Sequence, residues 1–259
     1  MTDPIAEFLA NLRLSQGRVD TLPTSLIPPS IAAGYRTQAE MVARLCAARG
    51  GAPMGYKVAL TSATAQSLVG YPAPVFGRLL SHSSVLGDTT LAAGDFTTRI
   101  IETEISFAIG RDVPAGNHSR ATMVDYVRGV LPSIEIVDHR FAALDSFSVE
   151  LLAADNAIHG GWYGGEENSE WDYNSLDQLA TALRVNDEVI LTGAGDRVLG
   201  HPLDVLVWLA NQLPDHGLTL REGDYVTTGL TTDGIYDAQA GDTVTADFGE
   251  LGAVTLKFV

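Results

Sequence analysis

The chain has 259 residues, and its 32 acidic side chains outnumber its 16 basic ones, which gives a formal net charge of −16 at pH 7. Such a charge repels phosphate backbones and anionic lipid headgroups, so it argues against nucleic-acid and membrane-surface binding. A hydrophobic fraction of 46% is ordinary for a globular protein and too high for a disordered one.

The cysteine content and the N-terminus narrow the class of protein further. The single cysteine, Cys46, cannot form an internal disulfide or a cysteine-cluster metal site. The first residues, MTDPIAEFLANLRL, lack the basic and apolar regions of a signal peptide. No apolar run approaches the roughly 20 residues that a membrane helix needs. These features predict a soluble cytoplasmic protein.

The first fifty residues have the spacing of helices. Apolar side chains such as Ile5 and Leu9 recur at helical intervals. A proline-rich break follows at 22–29, after which Thr37 is predicted to cap a second helix. We therefore predict an N-terminal helical segment over residues 1–50.

From residue 51 the pattern changes to short strands separated by glycine-rich turns. We predict strands at 56–60, 100–109 and 134–137, helices at 62–69, 122–128, 175–184 and 202–213, and a hairpin over 184–192 that turns at Asn186-Asp187. The chain contains no repeat and no linker of the kind that separates domains. The prediction is an α+β fold in which residues 51–259 form one compact catalytic body.

Two glutamates stand out in the predicted strand IIETEISFAI. Glu102 and Glu104 are two residues apart, so they point to the same face of the strand. Burying both without partners would cost several kcal/mol each, on the order expected for unpaired charges. A cation is therefore expected between them. A solvated strand face is the alternative that the spacing leaves open.

A third glutamate, Glu135, lies in the middle of another apolar strand, PSIEIVD. Three carboxylates from two strands can converge on one hard divalent cation, for which Mg²⁺ or Mn²⁺ is favoured over Ca²⁺. Zinc is disfavoured because no histidine or cysteine pair has ligand spacing. The strand MGYKVAL places Lys57 among apolar residues, either as an edge-strand lysine or near a metal-bound substrate.

Several motifs together resemble a known family. They are GYKVALTS at 55–62, IETEISFAIG at 101–110, PSIEIVD at 132–138, ADNA at 154–157, and the tail from LREGDYVTTGL to FGELGAVTLKFV. From about residue 35 to 259 the chain resembles the 2-keto-4-pentenoate hydratase and 4-oxalocrotonate decarboxylase branch of the fumarylacetoacetate hydrolase superfamily. The resemblance implies a mixed β-roll or sandwich body with an N-terminal helical segment, assembled as a homo-oligomer.

The resemblance also implies a role for each matching position. It implies that Mg²⁺ or Mn²⁺ is held by Glu102, Glu104 and Glu135, that a proton is moved by Lys57, and that substrate is bound near Asp155, Asn156, Thr228 and Gly229. Leu230 stands where many members have serine, and Ser81 and His82 stand where some have acidic residues. These departures keep the metal ligands and leave the substrate open.

The implied activity is that of a hydro-lyase in the meta-cleavage catabolism of aromatic compounds. It would add water to a 2-hydroxy-2,4-dienoate, held through its carboxylate and 2-oxo oxygens, to give a 4-hydroxy-2-oxo acid. A decarboxylase of the same branch is the alternative. An acylpyruvate hydrolase is less favoured because its water-activating base would have to be His82 or His139. A non-catalytic partner is disfavoured because Lys57 and all three glutamates are present. His159 is a further candidate pocket residue.

Overall fold

The computed structural model describes residues 3–20, 22–142 and 148–259. These residues form an α+β fold, as the sequence predicts. The helices are α1 (Pro4–Leu14), α2 (Ile31–Arg49), α3 (Ala63–Val69), α4 (Arg120–Met123), α5 (Val149–Ala154) and α6 (Pro202–Gln212). The strands are β1 (Pro53–Ala59), β2 (Val75–Leu80), β3 (Ser84–Leu86), β4 (Thr89–Leu91), β5 (Ile100–Ile109), β6 (Val127–Val137), β7 (His159–Gly164), β8 (Ala180–Val185), β9 (Glu188–Ala194), β10 (Tyr225–Leu230), β11 (Tyr236–Asp237), β12 (Thr243–Asp247) and β13 (Ala253–Phe258).

The strands belong to two sheets. In the larger sheet the order is β2-β1-β10-β5-β6-β7-β3, with β11 paired to β5. In the smaller sheet the order is β4-β13-β12-β8-β9. Apolar side chains from both sheets and from α6 share one core, which includes Ile105, Ile134, Leu183, Leu206 and Val244. Among the described residues, no helix combines the length and the apolar character that crossing a membrane requires.

The N-terminal helices pack together beside the larger sheet. Helix α1 is capped by Asp3, whose Oδ1 accepts a hydrogen bond from the Ile5 amide at 2.8 Å. Leu9 of α1 packs against Met41 and Leu45 of α2. The N-terminal helical segment is therefore present, and it ends at two glycines with positive φ that precede β1.

Two of the predicted helices are wrong in detail. Helix α2 starts at Ile31 because Ser30 accepts from the Ala33 amide at 3.2 Å. Thr37 lies inside that helix and donates to Asp3 instead of capping it. The helix predicted at 122–128 ends early, because β6 already begins at Val127.

The helix predicted at 175–184 is also wrong. This region consists of a 3-10 turn over Tyr173–Gln178 followed by β8. In β8 every second residue is buried, so the burial has the period of a strand against the core. The hairpin that follows β8 is correctly predicted, and its turn residues have the positive φ of a type I′ turn, 50° at Asn186 and 70° at Asp187.

Candidate active site

Three glutamates converge on one face of the β5–β6 pair. The two strands run antiparallel, and Glu102 lies directly opposite Glu135. Residues that are opposed in this way share a face, and Glu104 shares that face because it is two residues from Glu102. One carboxylate oxygen from each of the three lies within 4.8 Å of the others. Such an arrangement provides three oxygen ligands for a single cation.

In the two fully buried glutamates, one oxygen is held by the protein and the other is not. Oε2 of Glu104 accepts hydrogen bonds from the Gly229 amide at 2.7 Å and from the hydroxyl of Thr227. Oε1 of Glu135 accepts from Lys57 Nζ at 2.9 Å and from His159 Nδ1 at 2.9 Å. Among the described residues, the other oxygen of each carboxylate has no hydrogen-bond partner. A buried acceptor without a donor is costly, so these two oxygens suit a cation.

The electrostatics of the three glutamates also favour a bound cation. Burial, followed by repulsion from neighbouring carboxylates, raises the pKa of Glu104 to about 8. Burial is also the main cause that raises the pKa of Glu102 and of Glu135 to about 7, although Lys57 opposes it. Three carboxylates near one ammonium leave an excess of negative charge that a divalent cation would neutralise.

Lys57 is charged, whereas His159 is neutral. Burial tends to lower the pKa of Lys57, but the three glutamates outweigh it, so the pKa is raised and the ammonium is kept. Burial and then Lys57 hold the pKa of His159 well below its ordinary value. His159 is therefore neutral, and its Nδ1 must carry the proton that it donates to Glu135.

A cavity of about 490 Å³ adjoins this cluster. Lys57, Glu102 and Gly229 are among the residues that line it. The walls are mostly apolar and include Leu60, Ala65, Val69, Leu152, Ile158 and Leu230. Leu68 and Ile235 line the cavity as well, although both are largely exposed to solvent. An apolar cavity with a few polar groups at one end is typical of a small-molecule site.

The other predicted substrate-binding residues bond mainly to the protein. Asp155 pairs with Arg13, with Nε and Oδ1 2.6 Å apart. The side chain of Asn156 accepts from the Arg78 amide at 2.7 Å. Thr228 donates to the Ile105 carbonyl at 2.7 Å. Of these, Asn156 lines a second cavity of about 410 Å³, which is separate from the one over Lys57. The assignment of these three side chains to substrate binding stays a prediction.

One residue of the site region, Arg13, was not predicted from the sequence. His159, a candidate pocket residue in the sequence, is the histidine that contacts Glu135. Arg13 lies four residues after Leu9, on the buried face of α1. Arg13 could have been found as a charged residue at a position where the helical pattern expects an apolar one.

Comparison with known proteins identifies the family to which the chain is similar. The model of the Fumarylacetoacetate (FAA) hydrolase C-terminal family matches residues 59–259. The 2-keto-4-pentenoate hydratase 2 of Dechloromonas aromatica (strain RCB) is 32% identical over 192 residues, which is 73% of this chain and 72% of that protein. The 4-oxalocrotonate decarboxylase of Pseudomonas putida is 28% identical over 257 residues, which is 98% of this chain and 96% of that protein.

A solved structure gives the same result for the fold. The 4-oxalocrotonate decarboxylase from Pseudomonas putida G7, complexed with magnesium and adipate, matches with a TM-score of 0.90 at 28% identity. The match covers 98% of this chain and 96% of that one. The chain belongs to the fumarylacetoacetate hydrolase family, and the resemblance read from its motifs is confirmed.

Proposed function

We propose that this chain, as a member of the fumarylacetoacetate hydrolase family, is a metal-dependent hydratase of 2-hydroxy-2,4-dienoates. It adds water to the 2-oxoalkenoate tautomer and yields a 4-hydroxy-2-oxo acid in aromatic catabolism. The observation that carries the proposal is the cluster of three carboxylates beside Lys57, in which Glu102 and Lys57 also line a mostly apolar cavity. The likeness to a 2-keto-4-pentenoate hydratase over 73% of the chain supports it.

Glu102, Glu104 and Glu135 would hold Mg²⁺ or Mn²⁺. Their carboxylate oxygens are the hard ligands that both ions prefer, and two of these oxygens lack any other partner in the described part of the chain. The similar decarboxylase structure is complexed with magnesium, which supports the same class of ion here. When bound, the ion supplies a Lewis acid for the negative charge that develops on the substrate oxygens.

Lys57 is the group that moves the proton. Its ammonium is held by the Glu135 carboxylate at 2.9 Å and by the Ala157 carbonyl at 3.0 Å. These contacts use two of its three N–H donors, and Lys57 lines the cavity. The charged Nζ gives a proton to C5 of the substrate and recovers one from the 2-hydroxyl, which completes ketonisation. Water then adds at C4, and Lys57 gives a proton to C3 and recovers the one that this water loses, so that it ends as an ammonium.

The apolar walls bind the hydrocarbon part of the substrate and keep bulk water away from Nζ. Leu60, Ile158 and Leu230 are among the side chains that face the cavity. Because these walls are mostly apolar, they favour a substrate whose tail is uncharged.

Decarboxylation of 4-oxalocrotonate is the second candidate, and a specific observation favours it. Arg197 is the one basic residue besides Lys57 that lines this cavity in the described part of the chain. It is exposed and would meet a second carboxylate at the far end of a dicarboxylate substrate. The decarboxylase match over 98% of the chain, to a structure that holds the dicarboxylate adipate, supports this alternative.

One assay separates the two reactions. The purified protein is incubated with Mg²⁺ and either 2-hydroxypenta-2,4-dienoate or 4-oxalocrotonate, and loss of diene absorbance, product mass and released carbon dioxide are followed. We expect a product that has gained one water from the dienoate. Release of carbon dioxide from 4-oxalocrotonate, abolished by Arg197→Met, would establish the second candidate instead.

Two variants provide the matched control. Glu135→Gln keeps the shape of the side chain but loses the charge, so metal-dependent turnover is expected to fall by at least about 100-fold. Glu167→Gln removes a carboxylate that pairs with Arg128 on the surface, and it should leave turnover unchanged. Equal turnover in the wild type and in Glu135→Gln would contradict the proposed site.

A further inference from the structure

The segment between α5 and β7 touches both Lys57 and Glu135. The Ala157 carbonyl accepts from Lys57 Nζ at 3.0 Å, and His159 donates to Glu135 at 2.9 Å. The backbone of this segment is strained, since Asn156, Ala157 and Ile158 have φ values of 55°, 50° and 53°. Three successive non-glycine residues in the left-handed region persist only where their surroundings hold them.

Arg13 of helix α1 holds this segment from the opposite side. Its Nε and Nη2 donate to Oδ1 and to the carbonyl of Asp155, at 2.6 and 2.9 Å. Its Nη1 donates to the His159 carbonyl at 2.8 Å. The guanidinium therefore bonds to both ends of the strained segment. Arg13 is only 5% exposed, so these bonds are made away from bulk water.

We propose that Arg13 is a positioning residue for the metal site. It fixes residues 155–159, and these in turn fix Lys57 and Oε1 of Glu135, which leaves Oε2 of Glu135 directed to the cation. The inference rests on the proposed function in one respect, because it takes Glu135 to be a metal ligand. Under this inference, a residue of the N-terminal helix α1 determines how tightly the protein binds its metal.

A planar guanidinium suits this position better than an ammonium. The three acceptors are two backbone carbonyls and one carboxylate oxygen, spread over five residues of chain. The fixed fork of arginine reaches all three at once, whereas lysine has one nitrogen. Outer-sphere groups that orient a metal ligand typically change metal affinity by about 10–100-fold when they are removed.

The test measures Mn²⁺ binding by calorimetry on the full chain, without substrate. Arg13→Met is expected to raise the Kd for Mn²⁺ by at least about tenfold. The control is Asp3→Ala, which removes the cap of α1 but contacts no residue of the 155–159 segment. Asp3→Ala should lower Tm and leave the Kd within about twofold of the wild type, since cap loss acts on helix stability.

Chemical rescue gives a readout that a merely structural arginine would not move. Arg13 and His159 both line the second cavity of about 410 Å³, so a small cation can approach the site that the side chain leaves. Added guanidinium at low millimolar concentration is expected to restore at least part of the Mn²⁺ affinity of Arg13→Met. It should have no effect on the wild type or on Asp3→Ala.

If Arg13→Met does not fold, Arg13→Lys and a pair of variants at His159 decide the question. His159→Asn keeps an N–H donor near Nδ1 and should bind Mn²⁺ more tightly than His159→Leu, while Arg13→Lys should bind more weakly than the wild type. Unchanged Mn²⁺ affinity in a folded Arg13 variant would overturn the proposal, as would equal weakening in Asp3→Ala. A wild-type protein that binds no Mn²⁺ would instead overturn the proposed function.

Discussion

The two sheets of this protein place their polar side chains differently. In the larger sheet, β5 and β6 are buried along almost their whole length, and yet they carry all three glutamates of the site. In the smaller sheet, β12 and β13 alternate between buried apolar residues and outward polar ones. There, Thr245 and Thr255 pair on the outer face at 3.0 Å.

The difference shows how a functional strand can be told from a structural one. The polar residues of β12 and β13 keep contact with water, so they add little cost to folding. In the larger sheet Glu104 and Glu135 have lost that contact, Glu102 keeps only part of it, and one lysine does not balance the three carboxylates. A buried group of like charges is typical of a site that binds a ligand of opposite charge.

Lys57→Met should give the largest effect. It removes the proposed proton carrier and leaves the Glu135 carboxylate without its cation. We expect kcat/KM for the dienoate to fall by about 10²–10⁴-fold, measured with saturating Mg²⁺. Lys257→Met is the matched control, because Lys257 is an exposed residue of β13 in the smaller sheet. A Lys57 variant that keeps full activity would rule out lysine as the proton carrier.

A carboxylate placed inside the smaller sheet should be destabilising. Val244 of β12 is fully buried, so Val244→Glu would put a charge in an apolar core that offers it no partner. We expect a loss of about 3–5 kcal/mol in the free energy of unfolding, measured by urea denaturation. Thr245→Glu places the same group on the outer face and should cost less than about 1 kcal/mol. Equal losses in the two variants would remove the contrast between the two faces.

The pH dependence of thermal stability gives a smaller effect. Glu104 has a pKa of about 8 in the folded, metal-free protein, and an ordinary value of 4.5 when unfolded. The unfolded chain therefore releases its proton at lower pH than the folded one, so metal-free stability falls as pH rises from about 4.5 to 8. A divalent cation requires the ionised carboxylates, so it binds more tightly over the same range.

We therefore expect Mg²⁺ to raise Tm more at pH 8.5 than at pH 5.5, measured by scanning calorimetry. Glu104→Gln should weaken both the fall in metal-free stability and the response to Mg²⁺. A Tm increase that is the same at both pH values would show that Mg²⁺ binding does not depend on ionisation of these carboxylates.

The local pattern of the sequence predicted much of the fold. Strand β5 has the predicted bounds, Ile100 to Ile109, because it is rich in β-branched and apolar residues. The two-residue period of a strand predicts that Glu102 and Glu104 lie on one face. The helix at 175–184 was wrongly predicted because burial against the core, and not local spacing, determines the structure of β8.

The sequence by itself determined the family, the main strands and the identity of the three acidic residues, since these depend on short-range periodicity and on motifs. The tertiary structure decided which groups meet them. Thr227 and Gly229 hold Glu104 across more than 120 residues of chain, and His159 rather than His139 reaches Glu135. Contacts of this kind follow from the register of paired strands and the packing of α1, which no local pattern encodes.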